Sequence, residues 1–90
     1  MSKEVSFKNH DRFIQLGIAI SSLRKIRGLS QKKLAEKAGI SRSMLSVIEA
    51  PNTAHCFSME VFYNIADALD ISPSELLTAS LFPDEIIKRI

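Results

Sequence analysis

The chain of 90 residues has one cysteine, no tryptophan, three glycines and three prolines. A lone thiol at Cys56 excludes an intramolecular disulfide and any metal cluster built from several cysteines. So little glycine and proline also excludes a low-complexity or fibrous chain. No apolar run approaches the roughly 20 residues that span a bilayer. The opening MSKEVSFKNHDRF carries charge with no apolar stretch behind it, so neither a membrane span nor an export signal is expected. No linker, repeat or break in composition marks a second unit, and one domain over residues 1–90 of a soluble, cytoplasmic protein is expected. Among His10, His55 and Cys56 only the last two are neighbours, which is too few donors for a metal, so no metal or cofactor is expected. No His–carboxylate pair, nucleophile elbow or phosphate loop is present, and an enzyme is not expected.

What the chain does have is 46% apolar residues, enough for a small core, and a formal charge of only +2. That sum hides a division. Residues 1–50 hold ten Lys/Arg against Glu4, Asp11, Glu36 and Glu49, a balance of +6, while residues 51–90 hold Lys88 and Arg89 against six acids, a balance of −4. One positive end suits a surface that faces phosphates, although small domains also reach such asymmetry without one.

Apolar spacing predicts helices and no strands. Phe13, Leu16, Ile20 and Leu23 recur at three and four, giving a helix over 11–26 that ends near Gly28. Ser30 caps a second helix, Gln31–Ala38, with Leu34, Ala35 and Ala38 on one face, and Gly39 ends it. Ser41 caps a third, Arg42–Glu49, with Leu45 and Ile48 inward. Ser58 caps a fourth over Met59–Leu69, and Ser72-Pro73-Ser74-Glu75 has the capping-box pattern that opens a fifth over Leu76, Leu77 and Leu81. A sixth short helix from Pro83 to Ile90 is an additional candidate.

Helices two and three are each too short to stand alone, and a break of a few residues containing glycine joins them. This is the pattern of a helix-turn-helix, here over about 31–49, in which the second helix crosses the first steeply and projects an outer face able to enter a major groove. The order of pieces resembles the Cro/CI-type (XRE-like) helix-turn-helix regulators of phages and bacteria. It rests on Leu23-Arg24, "GLSQ" at 28–31, "LAEKAGIS" at 34–41, "IE" at 48–49 and "IADALDISPSELL" at 65–77, and covers about residues 13–79. The resemblance implies an all-α five-helix bundle of the phage-repressor DNA-binding type. It also implies sequence-specific binding of double-stranded DNA as a homodimer that regulates transcription.

Carried over by position, the resemblance gives Gln31 a phosphate contact and a bracing role toward the third helix. It directs Arg42, Ser43 and Val47 at base edges. Arg42 is suited to guanine O6 and N7 or to a phosphate, Ser43 is a permissive partner, and Val47 is able to meet only a thymine methyl. Ser46 touches phosphate or stays solvated. Arg24 and Glu49 match a pair that bridges helices one and three. Of Lys25, Arg27, Lys32, Lys33 and Lys37, two or three are expected near phosphates and the rest in water.

The loop Ala50-Pro51-Asn52-Thr53-Ala54-His55-Cys56-Phe57 departs from the family, being longer and lacking the usual glycine and any Lys or Arg. Asn52, Thr53 and backbone amides are then neutral phosphate donors, or the loop faces a protein. Dimerisation is expected through the last third of the chain, with 80–90 as the segment, because Leu77, Leu81, Phe82, Ile86, Ile87 and Ile90 exceed what five helices absorb. The alternative is that they cover the base of the monomer. With no room for an effector domain, occupancy of DNA is expected to follow the protein's own concentration or a partner, as in a phage repressor, a restriction-modification controller or an antitoxin-type autoregulator. A role of another class stays open: a protein-interaction module that keeps this fold with little or no DNA binding.

Overall fold

A computed structural model describes residues 5–83. Within them a 3-10 turn at Phe7–Asn9 leads into α1 (His10–Ile26), α2 (Gln31–Ala38), α3 (Arg42–Glu49), α4 (Met59–Ala68) and α5 (Pro73–Leu81), with no strand among the described residues. The five-helix, all-α expectation holds. The candidate sixth helix lies outside the described residues, apart from Pro83.

Four helices start with the same device. The hydroxyl of Ser30 accepts from the amide of Lys33, Ser41 from Met44, Ser58 from Val61 and Ser72 from Glu75, at 3.0 to 3.2 Å. Each such cap satisfies an amide that the helix leaves without a partner, and is worth about 1 kcal/mol. Ser72 adds the reciprocal bond, its own amide donating to Glu75 Oε1 at 3.0 Å, which completes the capping box.

Helix ends are closed just as locally. Gly39 takes a φ of 70°, letting the amide of Ile40 reach back to the Ala35 carbonyl at 3.0 Å, so α2 stops and the chain turns into α3. α4 closes the same way with the amide of Ile71 on the Ala66 carbonyl, but the left-handed residue is Asp70, at a φ of 58°. Aspartate is one of the few side chains that tolerate this conformation.

α1 lies against α3 and α5, α2 against α3 and α4, and α4 against α5. Their meeting point is filled by Ile20, Leu23, Leu34, Leu45, Ile65, Leu69 and Leu76, all fully buried. Each contributes about 1.5–3 kcal/mol relative to exposure. Where α1 crosses α3 the backbones nearly touch. A Cβ on Gly17 would collide with the carbonyl oxygen of Ile48 and stand 3.2 Å from its carbon, so the crossing requires a residue without a side chain. Among the described residues no helix is long and apolar enough to cross a membrane.

Candidate nucleic-acid interface

Eight residues make α3, and successive side chains advance by about 100° around its axis. Leu45, Ile48 and Glu49 therefore share one side, and all three are buried. The other side carries Arg42, Ser46, Ser43 and Val47, every one exposed, and no helix among the described residues covers them. Arg42 is the first helical residue, directly after the Ser41 cap, so its guanidinium stands at the leading end of α3.

What fixes this helix against the bundle is a buried ion pair. Arg24 of α1 donates from Nε to Glu49 Oε2 at 2.8 Å and from Nη2 to Oε1 at 3.0 Å, a two-pronged contact. Its third nitrogen, Nη1, donates to the carbonyl of Leu29 at 2.8 Å in the turn before α2. The side chains are 12% and 4% exposed, so both charges are largely out of water. The expected bridge between helices one and three is present. What the sequence did not reveal is that the same carboxylate takes a third partner: Gln31, the first residue of α2, donates from Nε2 to Glu49 Oε1 at 3.0 Å. Glu49 thus ties α1, α2 and α3 together, and among the described residues no buried side-chain nitrogen or oxygen lacks a partner. The bracing half of the role expected of Gln31 is visible in this bond. Its amide has a second hydrogen for an external acceptor.

The cations divide in a way the sequence does not disclose. Arg27 joins neither the phosphate side nor the solvated set. Its Nε donates to the carbonyl of Leu69 at 2.8 Å and its Nη2 to that of Asp70 at 3.2 Å, closing the C-terminal end of α4. Lys37 lines a depression with Asp67 and Asp70 at that same end. Lys25, beside Glu49 and Pro51, remains on the α3 side, and Lys32 and Lys33 are exposed in the first turn of α2.

The loop after Glu49 is split. Pro51, Asn52 and Thr53 are exposed, whereas Phe57 turns inward and meets Phe13 edge-on, ring centres 5.9 Å apart. Cys56 is a half-buried free thiol. On the far side of α1, Phe13, Leu16 and Leu77 line two adjoining apolar grooves of about 270 and 200 Å³, flanked by Leu81 and Met59. Leu77, Leu81 and Phe82 are exposed, as expected of a face left over by a five-helix core. Ile86, Ile87 and Ile90 lie outside the described residues.

The sequence pattern of the helix-turn-helix domain family matches residues 17–80. Among solved structures, the chain is 34% identical to the restriction-modification controller protein C.AhdI from Aeromonas hydrophila, over 71% of this chain and 94% of that one, with a TM-score of 0.65. It is 37% identical to SinR, the master regulator for biofilm formation, solved in complex with DNA, over 69% of this chain and 97% of that one, with a TM-score of 0.62. To the clp gene regulator ClgR from C. glutamicum it is 28% identical over 79% and 88%, with a TM-score of 0.67. Comparison with curated protein sequences returned no match.

Proposed function

Because the chain belongs to the helix-turn-helix domain family, and within it to the Cro/CI-type (XRE-like) regulators, we propose that it binds a specific sequence of double-stranded DNA in the cytoplasm through α3 and regulates transcription. One observation carries this: the arc of Arg42, Ser43, Ser46 and Val47 is open to solvent while a buried, fully bonded carboxylate directly beneath it locks α3 in place. A rigid helix with a free polar face is what major-groove reading demands. Arg42 reads a guanine through O6 and N7, Ser43 accepts more than one base, and Ser46 and Gln31 meet the phosphates that set the register. SinR, solved with DNA, supports the partner class. The three relatives serve different circuits, so their likeness carries the mode of recognition and not the regulated genes.

Selection of random duplexes by the purified protein, repeated with Arg42→Ala, tests it. The expected result is loss of one preferred base in each half-site, with an affinity cost of about 1–3 kcal/mol. Uniform weakening at every position would move Arg42 to the phosphates.

The active form is a homodimer that buries the apolar grooves beside Leu77 and Leu81, and its operator is a pseudo-palindrome with half-sites about one helical turn, roughly 34 Å, apart. Those side chains are 49% and 64% exposed, too open to be explained by the monomer's own core. Sedimentation at micromolar concentration checks this, and a persistent monomer removes the basis for a palindromic site. The loop 50–57, bare of Lys and Arg, favours a second role, docking of a protein partner on the same fold. A steep salt dependence of duplex binding supports the DNA role, and no binding even at low salt supports the other.

A further inference from the structure

We propose that the outer face of α1 is the docking site for this chain's own residues 84–90, which lie outside the described residues, and that docking there brings Lys88 and Arg89 to the loop after α3, where they contact the DNA backbone. The proposal rests on α3 being the DNA-reading helix. It supplies the cationic phosphate contact that the loop itself lacks.

The described chain ends beside α1. Pro83, its last residue, lines a narrow depression together with Gln15, Ile18 and Ser22. A second depression, of about 260 Å³, starts from the same Ile18 and Ser22 and continues past Ser21 and Lys25 to Glu49 and Pro51. Together they make one shallow path from the end of α5, over α1, to the start of the loop 50–57. Ile18 stands at its middle. At about 100° per residue it lies on nearly the opposite side of α1 from the buried Leu16, and it is 40% exposed, flanked by the half-buried Ser21 and Ser22. A single exposed isoleucine is ordinary on a small protein. This one lies on a path that has the continuation of the chain at one end and a loop bare of Lys and Arg at the other.

The continuation has the matching chemistry. It reads Asp84-Glu85-Ile86-Ile87-Lys88-Arg89-Ile90, with two isoleucines directly before two cations. A helix with its side chains is about 10–12 Å across, and five extended residues from Pro83 to Lys88 span up to about 16–18 Å. That length lets an isoleucine meet Ile18 while Lys88 and Arg89 arrive at Lys25 and Pro51. Phosphate is also expected at this far end, because Glu49 holds Gln31 there through Oε1 at 3.0 Å. The charge of Glu49 is already taken by Arg24, so it does not capture the arriving cations. Three cations then converge, and a phosphate among them offsets their mutual repulsion. The grooves lined by Phe13 and Leu16 open on another side of α1, so this docking leaves the dimer contact free.

The test uses the full chain and the duplex it selects from a random pool, with affinity followed by fluorescence anisotropy over a series of salt concentrations. Lys88→Ala with Arg89→Ala is expected to make the fall of log affinity with log salt shallower by about 1.8 per subunit, the value for two lost phosphate contacts. The preferred bases should stay the same. Ile18→Ser changes no charge, and its melting curve should match the parent's. It is nevertheless expected to make the salt dependence shallower by the same amount, and to add nothing in the triple variant. An unchanged salt dependence in the Lys88→Ala, Arg89→Ala variant overturns the phosphate contact and leaves the DNA function standing. A shallower dependence in that variant, with the parent's dependence in Ile18→Ser, overturns the docking on α1. Absence of duplex binding by the parent at low salt overturns both the function and this inference.

Discussion

The first turns of α2 and α3 break an electrostatic rule that the other helices keep. α1, α4 and α5 begin with Asp11, Glu60 and Glu75, acids placed where the helix dipole is positive, and α1 ends with Arg24 and Lys25. α2 instead starts Gln31-Lys32-Lys33 and α3 starts with Arg42, and neither first turn holds an acid. A cation in that position forgoes about 0.3–1 kcal/mol that an acid would supply. Its electrostatic use is that two helix N-termini, with unpaired amides and added cations, attract an anion such as phosphate. The two helices that break the rule hold the proposed interface, and of the three that keep it α4 and α5 lie in the acidic half of the chain. Local choices that work against stability coincide with the proposed interface.

The largest expected effect attacks what holds the rule-breaking half together. Glu49→Ala leaves Arg24 buried without its carboxylate and removes the acceptor of Gln31, so urea unfolding should show a loss of about 3–5 kcal/mol. Replacing both charges, Arg24→Met with Glu49→Leu, should recover most of it. If the single variant melts like the parent, the ion pair does not anchor α3. Next comes Gly17→Ala. Its methyl meets backbone and not a flexible side chain, so α1 and α3 must move apart at a cost of about 2–3 kcal/mol. The same displacement should blunt base preference in a selection experiment.

The smallest effect sharpens the comparison most. Lys32→Glu should raise stability by about 0.3–1 kcal/mol, because an acid then sits at the start of α2, and should reduce the salt slope of DNA binding by about one. Glu60→Lys in α4 should do the reverse to stability and leave DNA binding as it was. Thermal melting paired with anisotropy reads both, and equal effects of the two swaps on DNA binding would erase the distinction between the halves.

Much of this was legible along the chain. The Ser caps at 30, 41, 58 and 72 act through an amide three residues on, and a pattern of four residues predicts them. The outward arc of α3 follows from helical periodicity and from Leu45 and Ile48 facing in. The Arg24–Glu49 pair was readable only through family resemblance. Gly17 left a faint signal, a glycine inside a helix at a propensity cost of about 1 kcal/mol, whose reason lies in a different helix. Asp70 occupies a left-handed position usually filled by glycine, and nothing nearby in the sequence marks it.

Helix type, starts and inward faces belong to the sequence itself, because hydrogen bonds and side-chain spacing within a few residues determine them. Only the tertiary structure decided which cations are free. Arg27 is committed to carbonyls 42 and 43 positions away, Arg24 to a carboxylate 25 away, and Gln31 to that same carboxylate 18 away. Guanidinium and amide groups take whichever acceptor the packed helices bring within reach. That choice depends on how α1, α2, α3 and α4 pack in space, and no local pattern encodes it.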